Sequence, residues 1–135
     1  LVARLGLSEG VKFHGRVGEA EKIRLFRSSW ANLFPSPKEG WGITVMEAAA
    51  CGTPSLASDS PGLRDSVRDG STGFLVPHGD ASALAQRMLE FAADRSLVER
   101  LGAAARQHAV RMAWEDAADR TEAHLESLIR AAANG

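Results

Sequence analysis

Cysteine is nearly absent from this 135-residue sequence: Cys51 stands alone, which excludes an internal disulfide framework and is the usage expected in a reducing compartment. Neither sign of charge is in excess. Sixteen Lys and Arg face seventeen Asp and Glu for a formal net charge of −1, so the basic field of a general nucleic-acid binder is missing. No apolar run approaches the roughly 18 residues of a membrane span, and no signal-peptide pattern opens the chain. Metal-ligand spacing of His, Cys, Asp and Glu is also lacking, so no metal or other cofactor is expected. There is no initial methionine either. Leu1-Val2-Ala3-Arg4-Leu5-Gly6 reads like the end of a helix, and the chain is therefore expected to be a piece of something longer.

What is present, 44% hydrophobic and 24% charged residues, describes one ordinary soluble domain on a prior of roughly 100–200 residues per domain. Short apolar runs alternate with helix-period segments in the first half. Val11-Lys12-Phe13 is a brief strand candidate, Glu19 to Ser28 an amphipathic helix, and Trp30 to Phe34 a second strand stopped by Pro35 and Pro37. A helix follows from about Gly42 to Cys51 with Ile43, Met46 and Ala50 in its stripe; Gly52 and Pro54 end it. Ser55 to Ala57 is a third strand. Ser60-Pro61 is expected to cap a helix ending near Asp69-Gly70, and Gly73 to Val76 makes a fourth strand.

From Asp80 onward only helices are expected. Asp80 caps one with the stripe Leu84, Met88 and Phe91. Ser96 to Glu99 has capping-box spacing for a second, carrying Leu97, Leu101 and Ala104. A third begins near Trp114 with Ala118, Thr121, Leu125 and Leu128 on one face, its start weakened because Ala113 stands where a capping hydroxyl is expected. Strands separated by helices without hairpin turns predict an α/β fold: a Rossmann-like parallel sheet of about four strands flanked by helices, with a helical C-terminal end. Such sheets bind ligands beyond the carboxyl ends of their strands.

The loop after Phe34 carries the richest chemistry. Gly40 and Gly42 allow close backbone approach, and the free amides at the following helix start suit a phosphate or pyrophosphate. Glu39 lies just outside that helix and Glu47 one turn or slightly more within it, with seven residues between them. Two carboxylates so placed can accept hydrogen bonds from hydroxyls on different parts of one elongated ligand, a sugar at one end and a ribose at the other.

The spacing of Glu39 and Glu47 resembles the signature of the retaining glycosyltransferases of the GT-B fold, family 4. Other segments agree in order: Val11-Lys12-Phe13-His14-Gly15, Pro35-Ser36, Glu39-Gly40-Trp41-Gly42, Glu47-Ala48-Ala49-Ala50-Cys51-Gly52-Thr53-Pro54, Asp69 to Val76, and Trp114-Glu115. The resemblance covers nearly the whole chain. It implies that residues 1–135 are part of the C-terminal, nucleotide-sugar-binding domain, whose first strands and N-terminal acceptor domain lie outside this sequence. It further implies that Glu39 contacts the donor sugar near its reacting carbon and is the catalytic residue. Glu47 would hold the ribose hydroxyls, the backbone amides of Gly40, Trp41, Gly42, Ile43 and Thr44 would bind sugar hydroxyls and diphosphate, and Gly15, Arg16 and Val17 would lie against the base. Transfer would proceed with retention and without metal, the departing diphosphate being stabilised by fixed positive groups.

Departures accompany the resemblance. The Arg and Lys that the family places on the donor phosphates belong to a segment ahead of the strand equivalent to Val11-Lys12-Phe13, which is expected to lie outside this sequence. The usual Gly-Gly after the third strand reads Pro61-Gly62, Asp65 stands near a position where Glu is common, and Ser55 replaces a valine. The isolated chain is expected to be inactive. Trp41 is expected to pack, with its backbone doing the binding; Cys51 to fill a buried space; His78, His108 and His124 to be surface or helix-face residues; Arg64 and Arg68 to be exposed. The late acids Glu115, Asp116, Asp119, Glu122 and Glu126 read as a solvated face. Three other readings compete: a non-catalytic nucleotide- or partner-binding module from a degenerate glycosyltransferase, a GT-B-fold sugar-nucleotide epimerase, and a flavodoxin-like regulatory domain. A cytoplasmic location is expected, with peripheral attachment at the inner face of the membrane open to the full-length protein. A sheet lacking its neighbouring strands would also offer a raw edge for self-association.

Overall fold

The computed structural model describes residues 1–112 and 114–133. After a 3-10 turn at Ala3–Leu5, the elements are α1 (Glu19–Ser28), β1 (Asn32–Phe34), α2 (Ile43–Ala50), β2 (Ser55–Ser58), α3 (Pro61–Ser66), β3 (Gly73–Val76), α4 (Ala81–Ala93), α5 (Arg95–Val110) and α6 (Trp114–Ala133). The strands form one parallel sheet in the order β1-β2-β3, with Leu33 opposite Leu56 and Leu56 opposite Phe74. All three carboxyl ends therefore lie along the same side of the sheet, which is where a parallel sheet collects its loops.

The expected α/β architecture is present, with three strands among the described residues rather than about four. Val11-Lys12-Phe13 is not a strand: it pairs with no other strand, and Phe13 is 81% exposed. A strand is held by its ladder, and no described strand lies beside this segment.

Alternation along β2 builds a core on each face. Ala57 joins Val45, Leu63 and Val67 beneath α2 and α3, while Leu56 points the other way into Phe91, Val98 and Leu101 of α4 and α5. Every residue of β2 is buried, as a central strand covered on both faces should be. Ser55 fits there because its hydroxyl accepts a hydrogen bond from Asn32 Nδ2 at 3.1 Å, which answers the polarity of a hydroxyl where an apolar side chain was expected.

Helix starts follow local chemistry with two corrections. Asp80 caps α4 by accepting from the Ala83 amide at 2.9 Å. Ser96 does not open α5; Asp94 does, accepting from the Leu97 amide and from Ser96 Oγ, because a carboxylate is the stronger acceptor. Ser60 precedes α3 without a side-chain cap bond. Pro61 has no amide hydrogen and the Leu63 amide is taken by the Ser60 carbonyl, leaving the buried hydroxyl without a partner. That helix also stops at Ser66, short of Asp69.

The C-terminal helix α6 forms but buries none of its side chains. Ala118, Thr121, Leu125 and Leu128 are all exposed, as are the acids of the same helix. The expectation about Ala113 lies outside the described residues. His108 corrects the surface assignment: it is buried, 6% exposed. Cys51 is half-buried, whereas Arg64 and Arg68 are exposed as expected.

Candidate functional site

The loop from Pro35 to Gly42 leaves the carboxyl end of β1 and turns into α2. Gly42 makes that turn possible. Its φ of +76° is left-handed, and a β-carbon there would lie 2.7 Å from Leu63 Cδ2, so both conformation and space call for glycine. Its carbonyl accepts from the amides of Val45 and Met46 at 2.9 and 3.2 Å. The helix start has no side-chain cap and no acid in its first turn. Among the described residues, the amides from Gly40 to Thr44 donate to no backbone carbonyl. Such a row of unused donors at a positive helix end is suited to an anion.

Glu39 and Glu47 flank this row, with different surroundings. Glu39 is half-buried, and its carboxylate makes no hydrogen bond or ion pair among the described residues. Glu47 is engaged: its Oε1 accepts from Lys22 Nζ of α1 at 2.7 Å. Ile43 and Thr44 are exposed on the helix surface. Trp41, at 36% exposure, lines an apolar groove of about 530 Å³ that runs past Ile43 and Glu47 to Met112 and Trp114. The groove reaches Glu47 and not Glu39. Gly15, at φ +63°, and Arg16 are exposed, with Val17 half-buried, just ahead of α1. No hydrogen bond among the described residues joins these three to the Glu39 loop, but α1, which they lead into, reaches α2 through Lys22.

A family model described as glycosyl transferases group 1 matches residues 1–108. The chain belongs to that family. Among curated relatives, D-inositol 3-phosphate glycosyltransferase of Streptomyces avermitilis is 41% identical over 121 residues, which is 90% of this chain and 26% of the relative. Among solved structures, sucrose-phosphate synthase from Thermosynechococcus elongatus superposes with a TM-score of 0.86 at 31% identity, covering 96% of this chain and 33% of that one. Anabaena HepE, solved in complex with UDP-glucose, has a TM-score of 0.73 at 28% identity over 82% of this chain and 30% of its own. The chain thus spans about a quarter to a third of the length of these relatives, and its fold is that of the C-terminal domain of a GT-B glycosyltransferase.

Two residues of this group 1 glycosyltransferase chain escaped sequence reasoning. Gly62, at the start of α3, packs directly under the Glu39-Gly40 backbone: a β-carbon there would overlap the carbonyl oxygens of both. The Pro61-Gly62 departure therefore keeps, beside Gly42, a second glycine on which the loop depends, a signal visible in the sequence only as a glycine just inside a helix. Lys22 was hidden because it lies 25 residues from Glu47 in the chain. Its ammonium also meets Glu19 Oε2 at 3.0 Å, and the bonds to Glu47 first, then Glu19, raise its pKa above the usual lysine value.

Proposed function

We propose that this chain is the C-terminal part of the donor-binding domain of a retaining, metal-independent glycosyltransferase of family 4. The enzyme would transfer a sugar from a nucleoside-diphosphate sugar to an acceptor held by an N-terminal domain. The observation that carries the reading is the uncapped start of α2, with unused amides from Gly40 to Thr44 between two carboxylates. HepE, solved with UDP-glucose, supports a nucleotide-sugar as the class of donor. In the transfer, the bond from the anomeric carbon to the diphosphate oxygen breaks and a bond to the acceptor oxygen forms on the same face.

Glu39, whose carboxylate has no partner among the described residues, contacts the donor sugar near that carbon, and Glu47 accepts from the ribose hydroxyls. The amides of Gly40, Trp41, Gly42, Ile43 and Thr44 hold sugar hydroxyls and the diphosphate, whose growing negative charge they stabilise on departure. Gly15, Arg16 and Val17 lie along the base. The reading includes a cytoplasmic location and no cofactor. It also leaves β1, with Leu33 41% exposed, as a sheet edge open to pairing. A calorimetric screen of UDP-, GDP- and ADP-glucose against the complete protein tests it: saturable binding of one of them is expected, and no binding of any would overturn the donor assignment.

A further inference from the structure

Glu47 is held from behind. Lys22 Nζ sits 2.7 Å from Glu47 Oε1 and 3.0 Å from Glu19 Oε2, so one ammonium is shared between a carboxylate of α2 and one of its own helix. The exposures grade inward. Glu19 is 71% exposed, Glu47 36% and Lys22 28%, which makes Glu19 the outer partner and Glu47 the one sheltered with the lysine. Glu47 Oε2 has no protein partner among the described residues, so one oxygen is anchored and the other remains available.

A free glutamate on a helix samples several rotamers, and binding must then order it. Lys22 removes that cost in advance by holding one oxygen of the carboxylate in place through a charge-assisted hydrogen bond. Because its own charge is already matched by two carboxylates, Lys22 is poorly placed to act as a phosphate clamp. Its raised pKa, caused by Glu47 and then Glu19, keeps the ammonium protonated across the working range.

We infer that Lys22 is a positioning residue for the donor ribose, acting through Glu47, and that the Glu19–Lys22–Glu47 bridge sets the preference for a nucleotide that carries both ribose hydroxyls. This rests on the ribose role given to Glu47. Lys22 touches no substrate itself, so its loss should weaken donor binding without slowing chemistry.

The test uses the complete protein with whichever of UDP-, GDP- or ADP-glucose it binds, together with the 2′-deoxy and 3′-deoxy counterparts. In Lys22→Met the donor KM should rise about three- to fivefold, the scale of a half-exposed ion pair, with kcat within about twofold. Discrimination against the deoxy donors should shrink in Lys22→Met, vanish in Glu47→Gln, and be no smaller in the double variant than in Glu47→Gln. Lys22→Arg should restore most of it.

Equal donor KM and equal deoxy discrimination in Lys22→Met and the native protein would overturn the inference while leaving the role of Glu47 intact. Effects of Lys22→Met that simply add to those of Glu47→Gln would also overturn it, since a positioning role cannot outlast its target. Full deoxy discrimination in Glu47→Gln would instead remove the ribose role on which the inference stands. Should Lys22→Met prove unstable, Lys22→Gln, which removes the charge and keeps a polar head, carries the same comparison with the same expected and overturning results, and Lys22→Arg remains the rescue.

Discussion

The backbone carbonyl of Glu39 lies so close over Gly62 that a β-carbon there would overlap it. The loop bearing the proposed catalytic acid, which follows β1, therefore rests on the first turn of α3, which follows β2. In Gly62→Ala the loop must lift. We expect a stability loss of about 1–3 kcal/mol, in the range of overpacked sites, together with a raised donor KM. Urea unfolding and donor titration check both; an unchanged KM would separate Gly62 from the placement of Glu39.

Glu39→Gln should cripple transfer and spare the fold. Its carboxylate has no hydrogen-bond or ion-pair partner among the described residues, so nothing in the protein is left unpaired by the change. A fall in kcat on the order of 100-fold or more is expected from loss of a charged group at the reacting carbon, with an unchanged melting temperature. Near-normal turnover would remove Glu39 from catalysis.

His108 should make the domain sensitive to mild acid. Burial first, then the positive charge of Arg68, lowers its pKa; a hydrogen bond with the Asp65 backbone opposes them, and the charge of Arg111 adds a last lowering effect. A depressed pKa means that the folded state resists a proton that the unfolded chain accepts. Stability is thus unaffected above the ordinary histidine value of 6.5 and declines as pH falls from there toward the folded-state pKa. Denaturation midpoints at pH 7.5 and 6.5 should lie close together and the midpoint at pH 5.5 below both, and His108→Gln should flatten that last step. Equal slopes in both proteins would rule out His108 as the cause.

Chelation should leave sugar transfer untouched in the complete protein. The diphosphate is assigned to helix-start amides together with basic residues outside this chain, so EDTA followed by dialysis is expected to keep activity within about twofold, well short of the several kcal/mol that a Lewis-acid metal supplies. Loss restored by Mg²⁺ or Mn²⁺ would reverse that assignment.

The 135-residue chain by itself should transfer no sugar. Reaction needs donor and acceptor aligned in one closed cleft, and the acceptor side is assigned to a domain beyond these residues. A radiolabelled-donor assay with the isolated chain is the check, and any turnover above buffer contradicts the division of labour.

Sequence by itself determined the local elements. Helix α1 spans Glu19–Ser28 and β3 spans Gly73–Val76 as read from their periods, and Asp80 caps α4 as its position suggested. Each depends on neighbours within about one turn or on the alternation of a strand, so the chain carries the information where it is used. The ordered motifs around Glu39 and Glu47 likewise pointed to a glycosyltransferase, which the match to the group 1 family bears out, because they need only spacing.

Tertiary structure alone decided the rest. Val11-Lys12-Phe13 has a strand's composition and no strand among the described residues to pair with, whereas His108 has a surface residue's polarity and a core position. Only the packing of α1 on α2 brings Lys22 to Glu47, and only the packing of α3 under the β1–α2 loop gives Gly62 its function. Ladder pairing, burial and ion pairs between helices depend on which surfaces meet, and residues 23 or 25 positions apart, like Glu39 with Gly62 or Lys22 with Glu47, share no local period that could announce it.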